Sequence, residues 1–185
     1  ALLYGNVAPG GIINMVTKKP KFNFGGMVSM RAGSYDLYKP TVDIYGPISK
    51  KMAYRLNGSY EKANSYRDVV HTERYYVNPS ILFKLNDKTK LTIQGDYLQH
   101  EFTPDFGIGT MSNKPNEFGG KKITPVSRNT FYGAAWQYAK TTQATTSVEF
   151  THQLNQKWEL AALAGYQNYK RDYLSLERLQ ADVNG

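Results

Sequence analysis

The chain offers few residue types that could catalyse a reaction or hold a metal ion. It has no cysteine and three histidines, and His71, His100 and His152 lie on separate segments without the spacing of metal ligands. No Ser/His/Asp grouping and no carboxylate pair can be defended from spacing alone. The sequence therefore predicts neither an enzyme nor a resident metal or cofactor.

The glycine pair Gly10-Gly11 is the one motif that could cradle a phosphate. No Gly-Lys-Ser/Thr follows it and no helix begins there, so Pro9-Gly10-Gly11 is instead typical of a tight turn into a short buried strand containing Ile12 and Val16. The net charge of +8 would suit an acidic partner or surface. Because no helix carries a basic stripe, nucleic acid is not a predicted partner.

Strict alternation of apolar and polar residues governs most of the chain. Met52, Tyr54, Leu56, Gly58 and Tyr60 share one face of an extended segment, and the residues between them are mostly polar. The pattern predicts antiparallel strands with one apolar and one polar face. Pro79 falls on an apolar face and is expected to need an edge position or a bulge. The predicted strands are residues 22–32, 37–46, 51–61, 74–85, 89–100, 144–153 and 158–169, with a short helix over 175–182.

The turns between these strands alternate in length. Short turns follow residues 45, 86 and 154, while long polar loops follow residues 62 and 101, the last running to about residue 143. The reversal at Gly33 is an exception, because it is short although it lies on the long-loop side. Strands of about ten residues with this alternation are typical of an outer-membrane β-barrel. A soluble β-sandwich also alternates and stays open as an alternative.

The position of the aromatic residues favours the barrel. Tyr60, Tyr75, Tyr97 and Tyr166 fall at the long-loop ends, and Phe22, Phe24, Phe83 and Trp158 at the short-turn ends. Lipid-facing strands carry aromatic residues at both membrane interfaces, whereas a sandwich interior places large residues at strand middles. No apolar run approaches the length of a membrane helix. The chain begins inside an apolar run without a signal peptide, so we expect a piece of a longer protein.

The first twenty residues contain four short motifs at fixed spacing, namely Leu3-Tyr4-Gly5, Gly10-Gly11, Ile13-Asn14 and Thr17-Lys18-Lys19-Pro20. In these motifs the segment resembles the end of the plug domain in TonB-dependent outer-membrane receptors, where they lead into the first barrel strand. Pro9-Gly10-Gly11 and Pro20 are more similar to siderophore receptors than to glycan importers. Further similar segments are Gly33-Ser34-Tyr35-Asp36, Asp43-Ile44-Tyr45-Gly46-Pro47-Ile48, Tyr66-Arg67-Asp68, Thr103-Pro104-Asp105-Phe106-Gly107-Ile108 and Arg128-Asn129-Thr130-Phe131-Tyr132-Gly133.

The resemblance implies an all-β fold, an antiparallel transmembrane β-barrel fragment of about seven strands preceded by the last strand of a plug. Residues 1–20 would end the plug, and residues 21–185 would form the first part of the barrel, with a long outer loop at about 101–143. Seven strands cannot close a barrel, so the rest of the same receptor chain is an expected partner.

The implied function is TonB-dependent import of a ferric siderophore across the bacterial outer membrane. The expected partners are the siderophore, the TonB energy-transducing complex, and the membrane lipid and lipopolysaccharide. The iron arrives as a ferric chelate and is cargo. The residues expected to bind it are Asp105, Phe106, Arg128, Tyr132, Trp136 and Tyr138, and those expected to contact the plug are Arg55, Lys84, Asp96 and Glu149.

Three other functions stay open at this point. A TonB-dependent importer of glycan or cobalamin would share the fold. A passive porin-like channel would need no plug, which the first twenty residues argue against. A soluble β-sandwich module that binds carbohydrate would express as a soluble monomer without detergent.

Overall fold

The computed structural model of the protein describes residues 16–115 and 121–176. These residues form nine strands, of which seven make one antiparallel sheet in the order β1-β2-β3-β4-β5-β8-β9. Strands β6 and β7 form a separate hairpin within the long loop between β5 and β8. The strands are β1 Gly25–Gly33, β2 Leu37–Ser49, β3 Met52–Asn64, β4 His71–Lys84, β5 Thr89–Phe102, β6 Thr110–Pro115, β7 Lys121–Ile123, β8 Tyr138–Gln153 and β9 Glu159–Leu174.

The seven-stranded sheet confirms the predicted all-β, antiparallel fold. Among the described residues, strands of the large sheet that follow one another in the chain are also neighbours in the sheet, and no second sheet packs on it as a sandwich requires. The described part of the chain contains no helix that is long and apolar enough to cross a membrane. The short helix predicted over residues 175–182 and the buried strand predicted to contain Ile12 and Val16 lie almost wholly outside the described residues. Val16 is described, and it is 78% exposed and lies outside any strand, so its predicted burial is wrong.

The outer parts of the strands are longer than the alternation predicts. β5 continues to Phe102, β8 begins at Tyr138, and β9 continues to Leu174, so the loop runs from residue 103 to 137. The register pairs Lys140 with Asp172 and Thr142 with Lys170, so these extensions are polar on the face that is apolar elsewhere. Beyond the apolar band both faces meet water. Strand pairing therefore continues there without the apolar alternation that would predict it.

The polar face of the sheet is its concave side. Most of the buried strand residues lie on this face, namely Ala53, Arg55, Asn78, Ser80, Thr92 and Ala139. The apolar face is open, and its exposed side chains include Val28, Val77, Ile81, Ile93 and Val148. A curled sheet crowds its concave face and spreads its convex face, as one arc of a barrel does. We call the concave face lumenal and the convex face outer.

Cross-strand register joins the apolar residues into continuous rows on the outer face. One row runs through Tyr54, Ile81, Ile93, Val148 and Ala164 on five neighbouring strands. Register partners share a face, so each row is a band of apolar contacts perpendicular to the strands. The alternation along each strand and the register between strands therefore specify the same outer surface.

Aromatic and long apolar residues bound this outer surface at a constant height. Tyr75 and Phe83 on β4 lie eight residues apart, as do Met52 and Tyr60 on β3. Eight extended residues span roughly 27 Å, and a strand tilt of about 40° reduces this to about 21 Å along the barrel axis. That height is close to the ~25 Å apolar band of outer-membrane barrels.

The outer row of tyrosines also shifts between strands as tilted strands require. Tyr60 and Tyr75 are register partners whose ring centroids lie 4.8 Å apart. Tyr97 on β5 pairs with Val77, which lies two residues closer than Tyr75 to the short-turn end of β4. Tyr166 on β9 is in register with Gly95 of β5, which lies two residues closer than Tyr97 to the short-turn end. The row shifts by four residues over the four steps from β3 to β9, and roughly one residue per strand is the shift that a plane parallel to the membrane produces across strands tilted by about 35°.

Pro79 lies in the interior of the sheet, so its predicted edge position or bulge is wrong. The register between β4 and β5 is the same on both sides of it, from Val77↔Tyr97 to Ser80↔Gln94. Pro79 has no N–H to give to β5. The side-chain amide of Asn78 donates to the Gly95 carbonyl at 2.7 Å and so supplies a hydrogen bond beside the proline.

We expect Asn78→Ala to lower the free energy of unfolding by about 1–3 kcal/mol, because it leaves the half-buried Gly95 carbonyl without this donor. Asn57→Ala is the matched control, since Asn57 is the register partner of Asn78 on the same face. Urea unfolding of the refolded intact protein measures both losses. Equal losses for the two variants would show that the amide at residue 78 has no special role.

Candidate functional site

A short segment before β1 lies against the lumenal face near the turn end of the strands. This segment, Thr17 to Phe22, is called the anchor segment below. The Lys18 ammonium contacts the Asp43 carboxylate of β2 at 2.7 Å, and the Lys19 ammonium contacts both oxygens of Glu149 on β8 at 2.9 Å. Pro20 between them and β1 is buried. The anchor segment is therefore fixed to two separate parts of the barrel wall.

Arg55 holds the centre of these contacts. Its Nε and Nη2 atoms donate to the two oxygens of Asp43 at 2.8 and 2.7 Å, which is the bidentate geometry that guanidinium and carboxylate favour. Its third nitrogen, Nη1, donates to the backbone carbonyl of Lys19 at 3.2 Å. The side chains of Arg55 and Asp43 are only 8% and 13% exposed. Arg55 thus joins β2, β3 and the anchor segment.

Aromatic rings complete the attachment. The Tyr45 ring lies between two cations, with Lys21 Nζ 5.1 Å and the Arg55 guanidinium 4.8 Å from its centroid. A Cβ at Gly25 would come within 2.6 Å of the Tyr45 hydroxyl oxygen and 2.7 Å of its ring carbon Cζ, so the absent side chain at residue 25 is what lets the ring lie there. The Lys84 ammonium lies 4.2 Å from the Phe22 ring.

Three of the four residues predicted to contact a plug touch the anchor segment. These are Arg55, Lys84 and Glu149, whose contacts are given above. Asp96 lies farther along the lumenal face, paired in register with Thr145. Phe22 does not belong to an outer-face strand as predicted, because β1 begins at Gly25 and the Phe22 ring contacts Lys84 instead.

At the opposite end of the strands, Arg67 ties two loops together. It lies in the β3–β4 loop and forms an ion pair with Asp105 of the long loop, with 3.0 Å between Nε and Oδ2. Its Nη1 donates to the backbone carbonyl of Thr130, farther along the same loop, at 3.1 Å. The two ion-paired side chains are 12% and 19% exposed. Arg67 therefore joins three stretches of chain at one buried point.

Neighbouring residues reinforce this junction. Asp68 and Asn129 exchange two hydrogen bonds, one from the Asp68 backbone N–H at 2.9 Å and one from the Asn129 amide at 2.8 Å. The Arg128 guanidinium lies 4.8 Å from the centroid of the Tyr66 ring. Val69 has a φ of 69°, a strained value for a β-branched residue, and its carbonyl accepts from the Thr103 hydroxyl. The junction holds this strained backbone in place.

The structure distributes the six predicted ligand residues over different surroundings. Asp105 is engaged by Arg67 and also caps the Gly107 N–H, while Arg128 contacts Tyr66. Tyr138 lies at the start of β8, where its hydroxyl donates to Asp172 of β9 at 3.3 Å. The remaining three are open aromatic side chains, with exposed fractions of 52% for Phe106, 37% for Tyr132 and 53% for Trp136.

Sequence reasoning missed several residues that the structure brings to these two places. Lys18, Lys19 and Asp43 complete the anchor, and Tyr66 and Arg67 complete the loop junction. Asp43 could have been noted as a carboxylate among the lumenal residues of β2, because such a group needs a cation. The described residues contain no group of three or more side chains arranged to hold a metal ion.

Comparison with known proteins gives one consistent class of relatives. The chain is 32% identical to the catecholate siderophore receptor Fiu of Escherichia coli, over 92% of this chain and 23% of that protein. It is 27% identical to the metal-pseudopaline receptor CntO of Pseudomonas aeruginosa, over 99% of this chain and 25% of that protein. No family model matches the chain.

Solved structures place the fold in the same class. The open form of the ferric-catecholate import receptor Fiu from E. coli superposes with a TM-score of 0.82, over 93% of this chain and 27% of the receptor at 32% identity. The siderophore receptor PiuA of Acinetobacter baumannii shares the fold with a TM-score of 0.76. The chain spans about a quarter of the length of the curated relatives that it matches.

Proposed function

We propose that this chain, which is homologous over nearly its whole length to TonB-dependent siderophore receptors, is one arc of an outer-membrane barrel that imports a ferric siderophore. The single observation that carries the proposal is the combination of an apolar outer face with a polar lumenal face to which the anchor segment is fixed. The homologues are receptors and not enzymes, and the residues described here act by binding and positioning.

The same contacts support a proposed division of the chain into the end of a plug and the start of a barrel wall. Residues 1–20 end a plug that fills the barrel, and residues from 21 onward begin the barrel wall. The ion pairs of Lys18 and Lys19 support this division, because they join a segment of the lumen to strands β2 and β8. Strands β1 and β9 are the two edges of the described sheet, and the rest of the receptor pairs with them to close the barrel.

The mechanism needs no covalent chemistry. A ferric chelate binds among the outer loops, where Phe106, Tyr132 and Trp136 offer exposed rings and Arg128 a cation. Arg67 and Asp105 hold the loops in place and position these rings. The TonB complex then displaces the plug from the periplasmic side, and the lumenal wall with Arg55, Lys84, Asp96 and Glu149 guides it. Iron is the cargo, and no resident cofactor is involved.

Uptake of radioactive iron by cells that make the intact receptor tests this function. With ferric siderophores supplied, we expect import that falls at least about tenfold when the energy transducer is deleted, since a filled lumen admits no passive flow. Matched cells without the receptor are the control. Import that persists without the transducer would instead indicate a passive channel. Transducer-dependent uptake of cobalamin or oligosaccharide, with no uptake of any ferric chelate, would assign the receptor to another ligand.

A further inference from the structure

A row of mostly cationic side chains crosses the lumenal face of the whole sheet, one from each strand. Register pairs Arg31 with Lys39, Glu61 with Arg74, Arg74 with His100, His100 with Thr141, and Thr141 with Arg171. An ion pair of 2.6 Å between Lys39 on β2 and Glu61 on β3 connects the pair Arg31 and Lys39 to the rest of the row. The cationic row is Arg31, Lys39, Glu61, Arg74, His100, Thr141 and Arg171.

The row carries more positive charge than its surroundings neutralise. It contains four permanent cations and one carboxylate, and that carboxylate is engaged by Lys39. Among the described residues, Arg31, Arg74 and Arg171 have no carboxylate within ion-pair distance. Arg74 is half-buried, while Arg31 and Arg171 on the edge strands of the described sheet are exposed. A partly buried guanidinium without an anionic partner attracts an anion more strongly than one in water, so Arg74 is the strongest attractor of the row.

Arg74 is the central member of the row and is only partly exposed. Its Nη2 lies 3.4 Å from Nε2 of His100, and Nε2 accepts because a guanidinium can only donate. The Thr72 hydroxyl contacts the same Nε2 atom at 3.0 Å. The remaining donors of Arg74 form no hydrogen bond with the described residues, so they are available to an anion in the lumen.

The three unpaired arginines are evenly spaced. Arg74 lies three strands from Arg31 and three strands from Arg171, so neighbouring arginines are roughly 14 Å apart at about 4.8 Å per strand. The row also rises outward: Arg74 lies one residue beyond Tyr75 toward the loop end of β4, whereas Arg171 lies five residues beyond Tyr166 toward the loop end of β9. An anion that enters from outside therefore meets Arg171 before Arg74.

Aromatic rings flank the row on the same face. His100 stacks on Phe102 with centroids 4.8 Å apart, and the Arg171 guanidinium lies 5.1 Å from the Tyr173 ring. Tyr76 follows Arg74 by two residues along β4 and shares its face. Cations alternating with rings suit a ligand that is both anionic and aromatic.

We propose that the cationic row is a lumenal binding track that selects ferric chelates with a net negative charge, as catecholate oxygens produce, over neutral or cationic hydroxamate chelates. The proposal rests on the proposed function, because it names the charge class of the cargo. The row lies on the strands themselves, and it is separate from the loop residues Phe106, Arg128, Tyr132 and Trp136. Hydroxamate oxygens neutralise ferric iron without excess charge, so such chelates gain nothing from the row.

The test compares the binding of two defined probes, ferric tris-catecholate and ferrioxamine B, to the intact receptor by fluorescence quenching at low salt. For Arg74→Gln combined with Arg171→Gln, we expect the Kd for ferric tris-catecholate to rise at least about tenfold and to lose most of its salt dependence. The Kd for ferrioxamine B should change less than about twofold. Arg74→Lys in place of Arg74→Gln keeps the positive charge at residue 74 and should restore most of the affinity for ferric tris-catecholate.

Lys170→Gln is the matched control, because Lys170 adjoins Arg171 but pairs with Thr142 on the outer face. An equal effect of this control, an equal loss for both probes, or no loss for either would overturn the inference. Wild-type receptor that binds ferrioxamine B but not ferric tris-catecholate would also overturn it and leave siderophore import standing. Wild-type receptor that binds neither probe and imports no ferric chelate would contradict the proposed function itself.

Discussion

Leu56→Arg in the intact receptor is expected to prevent most of the protein from assembling in the outer membrane. Leu56 lies midway between Met52 and Tyr60, which bound the apolar band on β3, so its side chain faces the centre of the bilayer. An arginine at the midplane of a barrel's lipid face costs about 2–4 kcal/mol. The folded fraction is measured by the gel mobility of unheated samples and by urea titration in liposomes.

Asn57→Arg, one residue along the same strand, is the matched control. Asn57 lies on the lumenal face and pairs in register with Asp43, so an arginine there meets a carboxylate and water instead of lipid. We expect its cost to stay within about 1 kcal/mol. Similar losses for Leu56→Arg and Asn57→Arg would contradict the assignment of the two faces.

Arg55→Ala is expected to have the second large effect, a loss of about 3–5 kcal/mol in the free energy of unfolding. The substitution leaves Asp43, which is 13% exposed, with only the exposed Lys18 as a partner, and it removes a donor from the Lys19 carbonyl. Breaking one side of a buried ion pair costs this much because the remaining charge stays desolvated. Urea unfolding of the refolded receptor provides the measurement.

Two comparisons separate this effect from a general loss of packing. Arg55→Met combined with Asp43→Leu should recover most of the stability, since replacing both members of a buried pair is often neutral. Lys140→Ala removes the cation from an exposed pair, 3.6 Å from Glu101, and should cost less than about 1 kcal/mol. If the double variant were as unstable as Arg55→Ala, the buried charge on Asp43 would not be the cause.

The strands were predictable because lipid imposes a simple pattern on them. A face that meets hydrocarbon must stay apolar along its whole membrane length, so residues such as Tyr75, Val77, Ile81 and Phe83 alternate without interruption. The lumenal face obeys no such rule, and Leu82 and Tyr45 lie there despite their apolar side chains. The strand extensions beyond the band were missed for the same reason, because lipid does not constrain them.

The site was harder to predict because its partners are far apart in the chain. Lys19 and Glu149 are separated by 130 residues, and only the curvature of the sheet brings β8 within reach of the anchor segment. Arg67 and Asp105 meet because two loops leave the same end of neighbouring strands. A polar residue in a periodic pattern indicates its face but not its partner. Arg55 was therefore predictable as lumenal, whereas its pairing with Asp43 was not.

The two faces of β4 provide the most direct test of this account. Variants of the intact receptor with one cysteine placed between Tyr75 and Phe83, and with any cysteine outside this chain replaced by serine, can carry an environment-sensitive fluorophore at a single site, since residues 1–185 contain no cysteine. In liposomes, quenching by brominated lipid should be strong at Tyr75, Val77, Ile81 and Phe83 and weak at Tyr76, Asn78, Ser80 and Leu82. Leu82 is the most telling position, because hydrophobicity alone would place it in lipid. Strong quenching at Leu82, or quenching without a period of two, would contradict the assignment of the concave face to the lumen.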